Sequence, residues 1–344
     1  MSTDEGRLTR LEIEGIEVGA GELFTARSFF FDRIVPACEH VLLPPVTVPG
    51  GTVEIRDGDI TAAAPAASRL RKFVPQVGQT VPEGRWFIDM RVHEPRNWAH
   101  FLNDYLPLFF RICEMTKRDP ARACLVLPKA SPSFLKGAAD LFGLEVMLTA
   151  GAVSGDGVIF RSTPWICLRA ARTEWARLPV PKSAIAAALK GAPPGPRKLF
   201  LARRDTRKIS NMAEIEPFLQ KKGFQTVYPE TLPPADQMRL FHDAEEVVAV
   251  HGAGLAPMIY APPGKRLIEI LPCGHMTNVF RVMAARVGWD WIGVRGRIKP
   301  EYVKPAYDLD SSFKAFSLDA FEVDPVSLDM AFDRITRRAA GHLP

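Results

Sequence analysis

The 344-residue sequence contains no apolar run approaching the roughly 18 residues that a membrane-spanning helix needs, so no spanning helix is predicted. Cysteine is scarce. Cys38, Cys113, Cys124, Cys167 and Cys273 are scattered, odd in number and never spaced Cys-x-x-Cys, which argues against a disulfide framework or a cysteine zinc site. There is no Gly-x-Ser-x-Gly nucleophile elbow, which weakens any hydrolase reading of the Gly-rich loop described below. Long basic stripes with interleaved aromatics are also missing. The net charge of +5 is spread along the chain, so no nucleic-acid partner is expected. The start, Met1-Ser2-Thr3-Asp4-Glu5-Gly6-Arg7, is acidic and leads into no apolar h-region. A secretory signal is therefore not predicted, and a cytoplasmic location is expected. Peripheral contact of the basic surface with an inner membrane is compatible with this composition, as is oligomerisation.

A hydrophobic fraction of 47% suits a globular protein, and the length suits two domains. The first ninety residues read as short strands and turns, including two strands around Pro49-Gly50-Gly51. From Trp98 to about Arg118, apolar residues recur at helical spacing, with Asn97 as N-cap and Pro107 expected to kink or divide the helix. A strand at Cys124–Leu127, a helix at Ser133–Phe142 and a strand at Glu145–Leu148 continue the alternation. The Gly- and Pro-rich stretch 191–196 is the linker candidate, which separates a β-rich then α/β domain, 1–191, from a nucleotide-binding Rossmann-like domain, 192–344. In the latter, strands are predicted at Lys198–Ala202, Thr226–Tyr228, Glu246–Val250 and Leu267–Ile270. Helices are predicted from Asn211, capped with Glu214, and over Ala235–Ala244, with a short helix from Leu255. A last helix, about 325–340, is expected to be able to cross back to the first domain. The fold class expected is α/β.

The sharpest motif is the apolar strand that runs into His251-Gly252-Ala253-Gly254-Leu255. Glycines there let backbone N–H groups approach a phosphate, and a helix N-terminus adds partial positive charge. The competing reading is a tight turn carrying a structural histidine. Glu269, in the next strand, is placed to accept ribose hydroxyls, against the alternative of an ordinary charged residue on a solvent face. Arg203, Arg204 and Arg207 follow the domain's first strand, where guanidinium groups can hold a departing diphosphate; a solvated basic loop is the bland alternative. Asn97, His100 and Asp104 share a helix face, where a carboxylate beside a histidine could take a proton from a hydroxyl. By themselves such residues are more often a satisfied helix face. His93 and Glu94 rank lower.

In order, these pieces resemble glycosyltransferase family 61. The matching residues run from Asn97-Trp98-Ala99-His100-Phe101-Leu102-Asn103-Asp104-Tyr105-Leu106-Pro107 through Arg203-Arg204 and Arg207 to Asn211. They continue with Gly223-Phe224, Glu230 and 237–244, and end with His251 to Leu255 and Pro262 to Ile270. The resemblance spans about 85–272 and leaves out the first eighty residues and the last helix. Two positions depart from it: Pro257 stands where the family usually has Asn, and Met212 where it often has Glu.

The resemblance, to the bacterial capsular polysaccharide type in particular, implies a GT-B fold of two Rossmann-like domains facing a cleft, inversion at the anomeric carbon, and no obligatory metal or other cofactor. The expected donor is a nucleotide-sugar, preferentially a UDP-sugar, held by Arg203, Arg207, His251, Gly252, Ala253, Gly254 and Glu269, with Asn97 as a further contact. The expected acceptor is a glycan or lipid-linked glycan, as in capsule, O-antigen or exopolysaccharide synthesis. Asp104 is expected as general base, with His100 orienting or replacing it. A non-catalytic nucleotide-sugar-binding subunit of a polysaccharide assembly complex is the alternative.

Overall fold

The computed structural model describes residues 6–25, 40–64, 78–91, 96–161, 185–187, 189–191, 193–272, 275, 277–297 and 317–341. His93 and Glu94 lie outside the described residues. The strands of the first part are β1 (Arg7–Ile13), β2 (Ile16–Val18), β3 (Gly21–Thr25), β4 (His40–Leu43), β5 (Val46–Val48), β6 (Gly51–Ala62), β7 (Gln79–Thr80) and β8 (Trp86–Asp89). They are followed by β9 (Ala123–Pro128), β10 (Glu145–Thr149), β11 (Val153–Phe160), β12 (Lys198–Leu201), β13 (Gln225–Val227), β14 (Glu246–Val250), β15 (Arg266–Leu271) and β16 (Asp290–Arg295). Helix α1 is composite, running through Trp98–His100, Phe101–Tyr105 and Leu106–Thr116; α2 is Ser133–Leu141 and α3 is Met212–Lys221. The remaining α-helices are α4 (Pro234–Asp243), α5 (Val279–Val287) and α6 (Pro325–Ala339).

Two compact units emerge. The first comprises Met1–Ile16, Thr47–Lys190 and Pro233–Ala235, and the second Glu17–Val46, Gly191–Leu232 and Asp236–Pro344. In the first, the sheet order is β1-β6-β11-β8-β9-β10, with β7 paired to β11. β8, β9 and β10 are parallel, with Phe87 opposite Cys124 and Val146 opposite Leu125. Parallel neighbours need a crossover connection, and α1 and α2 supply it. β6 runs antiparallel to both β1 and β11. Phe87, Cys124, Val126, Ile60 and Val153 form a buried apolar cluster. The two strands expected around Pro49-Gly50-Gly51 are present as β5 and β6 but do not pair with each other: β5 pairs with β2.

Helix α1 is neither kinked apart nor regular. Asn97 caps it, its side-chain oxygen accepting from the His100 backbone N–H at 3.2 Å. Residues Phe101–Tyr105 then form a π turn, in which the Leu106 N–H reaches back five residues to the Phe101 carbonyl. Pro107 explains this locally. It has no N–H to donate four residues back, and its ring crowds the carbonyl there. A widened turn relieves both and keeps the axis continuous.

The second unit holds the sheet β13-β12-β14-β15-β16-β3-β4, parallel throughout except for β3 against β4. Its core is built from Phe200, Val248, Ile268 and Ile292 on the strands, with Ile215, Leu219 and Phe332 from the helices. Starting at β12, the chain first goes outward to β13, then returns past β12 to lay down β14, β15 and β16. The order therefore reverses between β12 and β14. In open α/β sheets, ligands sit beyond the carboxyl ends of the strands at such a switch point.

One segment joins this unit from well outside the 192–344 span expected of it. Residues 17–46 contribute β3, which pairs in parallel with β16, Leu23 lying opposite Gly293. The last helix, α6, stays with the second unit: the Ser327 hydroxyl donates to the Thr25 carbonyl at 2.8 Å, and Phe332 packs on Phe224. Its apolar face, Leu328, Ala331 and Ile335, is buried in the core of the second sheet.

Candidate functional site

β12 and β14 are neighbours in register, Leu201 opposite Ala249, so the loops that follow them leave the same edge of the sheet. The approach is close. A Cβ placed on Gly252 would run into Nη1 of Arg203, so any side chain there would have to displace that guanidinium. Gly254 is tight as well, since a Cβ there would sit 2.8 Å from the Pro229 ring. Arg203 is half-buried and locally braced: Nε donates to the Thr206 carbonyl at 2.8 Å and Nη2 to the Thr206 hydroxyl at 3.0 Å. Burial lowers its pKa, with Glu230 and Asp205 opposing that effect, and an arginine stays charged regardless.

Arg207 adopts a left-handed backbone conformation, φ +58°, uncommon for a side chain of its size. The segment before α6 holds it there. Its N–H donates to the Leu318 carbonyl at 2.9 Å and its Nε to the Ser317 carbonyl at 2.7 Å. Burial lowers its pKa to about 10, helped by the neighbouring charge of Arg203. Asn211 belongs to the same clamp. It does not cap α3 through its side chain; instead its amide bridges Val323, donating to the carbonyl at 2.8 Å and accepting from the N–H at 3.0 Å. The basic loop is thus fixed at both ends.

After β14, the chain enters a 3₁₀ helix over Ala253–Tyr260, where Pro257 cannot donate the hydrogen bond an α-helix would require. The first N–H groups of any helix lack intrahelical partners, so this start supplies backbone donors beside Arg203. His251, just before it, is 4% exposed. Its Nδ1 and Glu269 Oε1 are 2.5 Å apart, while Glu269 Oε2 accepts from Trp291 Nε1 at 2.8 Å. Glu269 has 0% exposure and both of its oxygens are engaged. Direct contact between this carboxylate and a ribose, the role expected for it, does not fit such burial. What it does is hold the His251 ring.

His275, beyond the end of β15, was not singled out in the sequence. Its ring centroid lies 5.0 Å from that of His251, which also meets Phe280 edge-on at 5.2 Å. Burial lowers the His275 pKa to about 4, assisted by the charges of Arg207 and His251, so its imidazole is neutral near pH 7. A lone histidine after a strand, between Cys273-Gly274 and Met276, carries no spacing signal that would have marked it.

A second pair lies on α1 in the first unit. His100 Nδ1 and Asp104 Oδ2 are 2.6 Å apart, one helical step of four residues. Asp104 is 2% exposed, whereas the His100 side chain keeps 29% of its surface. The histidine is therefore the more exposed member of the pair and the carboxylate the buried one. Asn97, expected also to contact donor, has its side-chain oxygen committed to the helix cap.

Comparison with known proteins bears on both pairs. Residues 98–268 match the family model described as Glycosyltransferase 61. Over this stretch, just under half of the chain, the sequence is similar to family 61 glycosyltransferases. The stretch begins on α1, two residues before His100, and ends one residue short of Glu269. An alpha-1,3-arabinosyltransferase of Oryza sativa subsp. japonica is 29% identical over 142 residues, 40% of this chain and 21% of that protein. A beta-1,2-xylosyltransferase of the same organism is 34% identical over 89 residues, 25% of this chain and 16% of that protein. The alignments thus span about a fifth of the length of these curated relatives.

The matched stretch holds most of the residues expected of a donor site, and Arg203, Arg207, His251, Gly252, Ala253 and Gly254 follow neighbouring strands at one sheet edge. For a metal, sequence spacing offers no argument against: Asp57-Gly58-Asp59 and Asp308-Leu309-Asp310 are both Asp-x-Asp pairs. The second lies outside the described residues. In the first, Asp57 binds Arg7 at 3.2 Å on the β1–β6 ladder. Among the described residues no cluster of three or more His, Cys, Asp or Glu could hold a metal ion. Nor, among them, is any helix long and apolar enough to cross a membrane.

Proposed function

We propose that the chain is an inverting glycosyltransferase of GT-B arrangement that takes a sugar from a nucleotide-sugar, preferentially a UDP-sugar, and delivers it to a glycan or lipid-linked glycan acceptor. The observation that carries this reading is the meeting of Arg203 with Gly252 at the switch point of the parallel sheet. A guanidinium and a row of backbone donors side by side suit the two phosphates of a nucleoside diphosphate. Arg207 adds charge to the same edge.

In this reading, His100 removes the proton from the acceptor hydroxyl, and Asp104 fixes the tautomer that leaves Nε2 basic. The acceptor oxygen attacks the anomeric carbon from the face opposite the diphosphate. The bond from that carbon to the diphosphate oxygen breaks, and its electron pair leaves with the phosphate. Arg203, Arg207 and the amides of Ala253 and Gly254 stabilise the charge that develops there, without requiring a metal ion. Synthesis of a capsule, O-antigen or exopolysaccharide is the setting proposed.

The test begins with binding. A panel of nucleoside diphosphates in a thermal-shift assay should raise the melting temperature, UDP most, because a ligand that binds only the native state stabilises it. Sugar-nucleotides that share the preferred base are then assayed for transfer and hydrolysis. A panel without any shift, at millimolar ligand, would remove the proposal.

A further inference from the structure

We infer that Glu230 takes the ribose hydroxyls of the donor nucleotide, the task from which burial bars Glu269. This rests on the donor site proposed above and extends it to the nucleoside. A nucleoside diphosphate held by Arg203 and the Gly252–Gly254 loop lays its nucleoside toward one of the flanking strands. Toward β15 the space is taken. Both oxygens of the buried Glu269 are engaged, by His251 and Trp291, and the His251 ring packs against His275 and Phe280. Toward β13 an acidic side chain stands at the same sheet edge.

Strand register places it there. β12 and β13 are parallel, Leu201 opposite Val227, and the Ala202 N–H extends the pairing to the Val227 carbonyl at 3.0 Å. The chain then makes a single 3₁₀ turn, Pro229–Thr231. The Leu232 N–H donates to the Pro229 carbonyl at 3.0 Å and the Thr231 hydroxyl to the Tyr228 carbonyl at 2.8 Å, so the backbone is fixed on either side of Glu230. This turn touches the phosphate-binding loop, where a Cβ on Gly254 would sit 2.8 Å from the Pro229 ring. Arg203 is near as well: burial lowers its pKa, and the Glu230 charge opposes that lowering. Yet the two form no ion pair, and Arg203 is braced by Thr206 instead. Glu230 is exposed, and among the described residues nothing donates a hydrogen bond to its carboxylate.

A carboxylate beside a diphosphate repels it, so this side chain suits a part of the donor that carries no charge and donates hydrogen bonds. The ribose 2′ and 3′ hydroxyls are adjacent donors one furanose ring from the phosphate, and a carboxylate has two oxygens to accept them. In nucleotide-binding βαβ units an acidic residue beyond the second strand does this work. β12, α3 and β13 form such a unit, with Glu230 beyond its second strand. Next to it, the Arg204 guanidinium lies over the Tyr228 ring, 4.0 Å from its centroid, and Arg204 is exposed. Guanidinium planes stack on nucleobases, so the base finds a partner beside the ribose.

Calorimetry on the intact protein with UDP, 2′,3′-dideoxy-UDP and inorganic pyrophosphate tests this. None of the three carries a transferred sugar, so hydroxyls of that sugar play no part. Wild type should bind UDP about tenfold or more tightly than the dideoxy ligand, as expected where a charged acceptor reads a hydroxyl. Glu230→Ala should bring that ratio close to one, with pyrophosphate affinity unchanged or higher. The ratio cancels any effect of the variant on the diphosphate. Glu230→Gln, which keeps the shape and loses the charge, should give a ratio between the two. The side chain is exposed, so both variants should melt at the wild-type temperature. A ratio preserved in Glu230→Ala, or close to one already in wild type, overturns the inference and leaves the donor site standing. Equal losses for all three ligands also overturn it, since Glu230 would then act only by supporting Arg203. Absence of binding by UDP and pyrophosphate alike removes the donor site itself.

Discussion

The two histidine–carboxylate pairs of this protein make almost the same bond in opposite surroundings. His100 and Asp104 are four residues apart on one helix, and the histidine keeps 29% of its side-chain surface. His251 directly follows β14 and Glu269 lies within the adjacent β15, with side-chain exposures of 5% and 0%. The outward-facing pair suits proton transfer to and from a changing partner. The inward pair, closed off behind by Trp291, suits a fixed electrostatic task. Their supports differ too. The first depends on a π turn whose geometry follows from one proline, the second on the register of β14 and β15, Ala249 opposite Glu269. Bond length alone would make the pairs equivalent; burial separates their work.

That contrast can be broken by substitution. The largest effect is expected at His100, where His100→Asn should lower kcat about 10²–10⁴-fold, the usual contribution of a general base, with UDP affinity unchanged in calorimetry. Asp104→Asn should lower kcat less and distort its pH profile, because the wrong tautomer is then held. Equal, parallel losses of UDP affinity in both variants would show that α1 belongs to donor binding. Gly252→Ala comes next. The added methyl would occupy the space of the Arg203 guanidinium, and UDP affinity is expected to fall about 10–100-fold, the worth of one charge-assisted hydrogen bond. A structure-neutral Gly252→Ala with wild-type affinity would contradict the close approach.

A smaller effect concerns stability. Glu22 on β3 is buried against Arg334 and Arg338 of α6, with His40 at 3.0 Å. Burial alone would raise its pKa, but the hydrogen bonds and charges of the two arginines outweigh it and bring the value to about 2. A carboxyl whose folded pKa is depressed adds stability above its unfolded value, near 4.5, and loses it as pH falls toward 2. Glu22→Gln should therefore destabilise by about 3 kcal/mol at neutral pH, measured by denaturant melts, and the gap to wild type should close between those two pH values. The smallest effect is expected at Cys113 and Cys124. Both are buried thiols, their pKa values raised by burial to about 12 and about 11, so neither should react with a thiol reagent until the protein unfolds.

Much of the second unit was legible in the sequence because its periodic signals are local. Glu246–Val250 is an unbroken apolar run before a glycine, and the structure has β14 over those residues. Helix α4 and strand β15 likewise lie within a residue or so of their expected ends. What escaped was non-local. Nothing in residues 17–46 announces that Gly21–Thr25 pairs with a strand some 270 positions later. Glu269 read as a ribose ligand because an acidic residue in a strand is the familiar sign of one. Its true partners, His251 and Trp291, lie 18 and 22 positions away in the sequence and meet it only across the sheet. Asp104 read as the base because a helix wheel gives its face but not its depth. Sequence motifs name these residues; how deeply each is buried is set by the fold.

The most direct measurement is UDP binding by calorimetry to wild type, Arg203→Ala, His251→Ala and the double variant. Each single change should weaken binding about tenfold or more, and the double change should cost less than the sum, since both groups are proposed to grip one diphosphate. Unaltered UDP affinity in both single variants would contradict it.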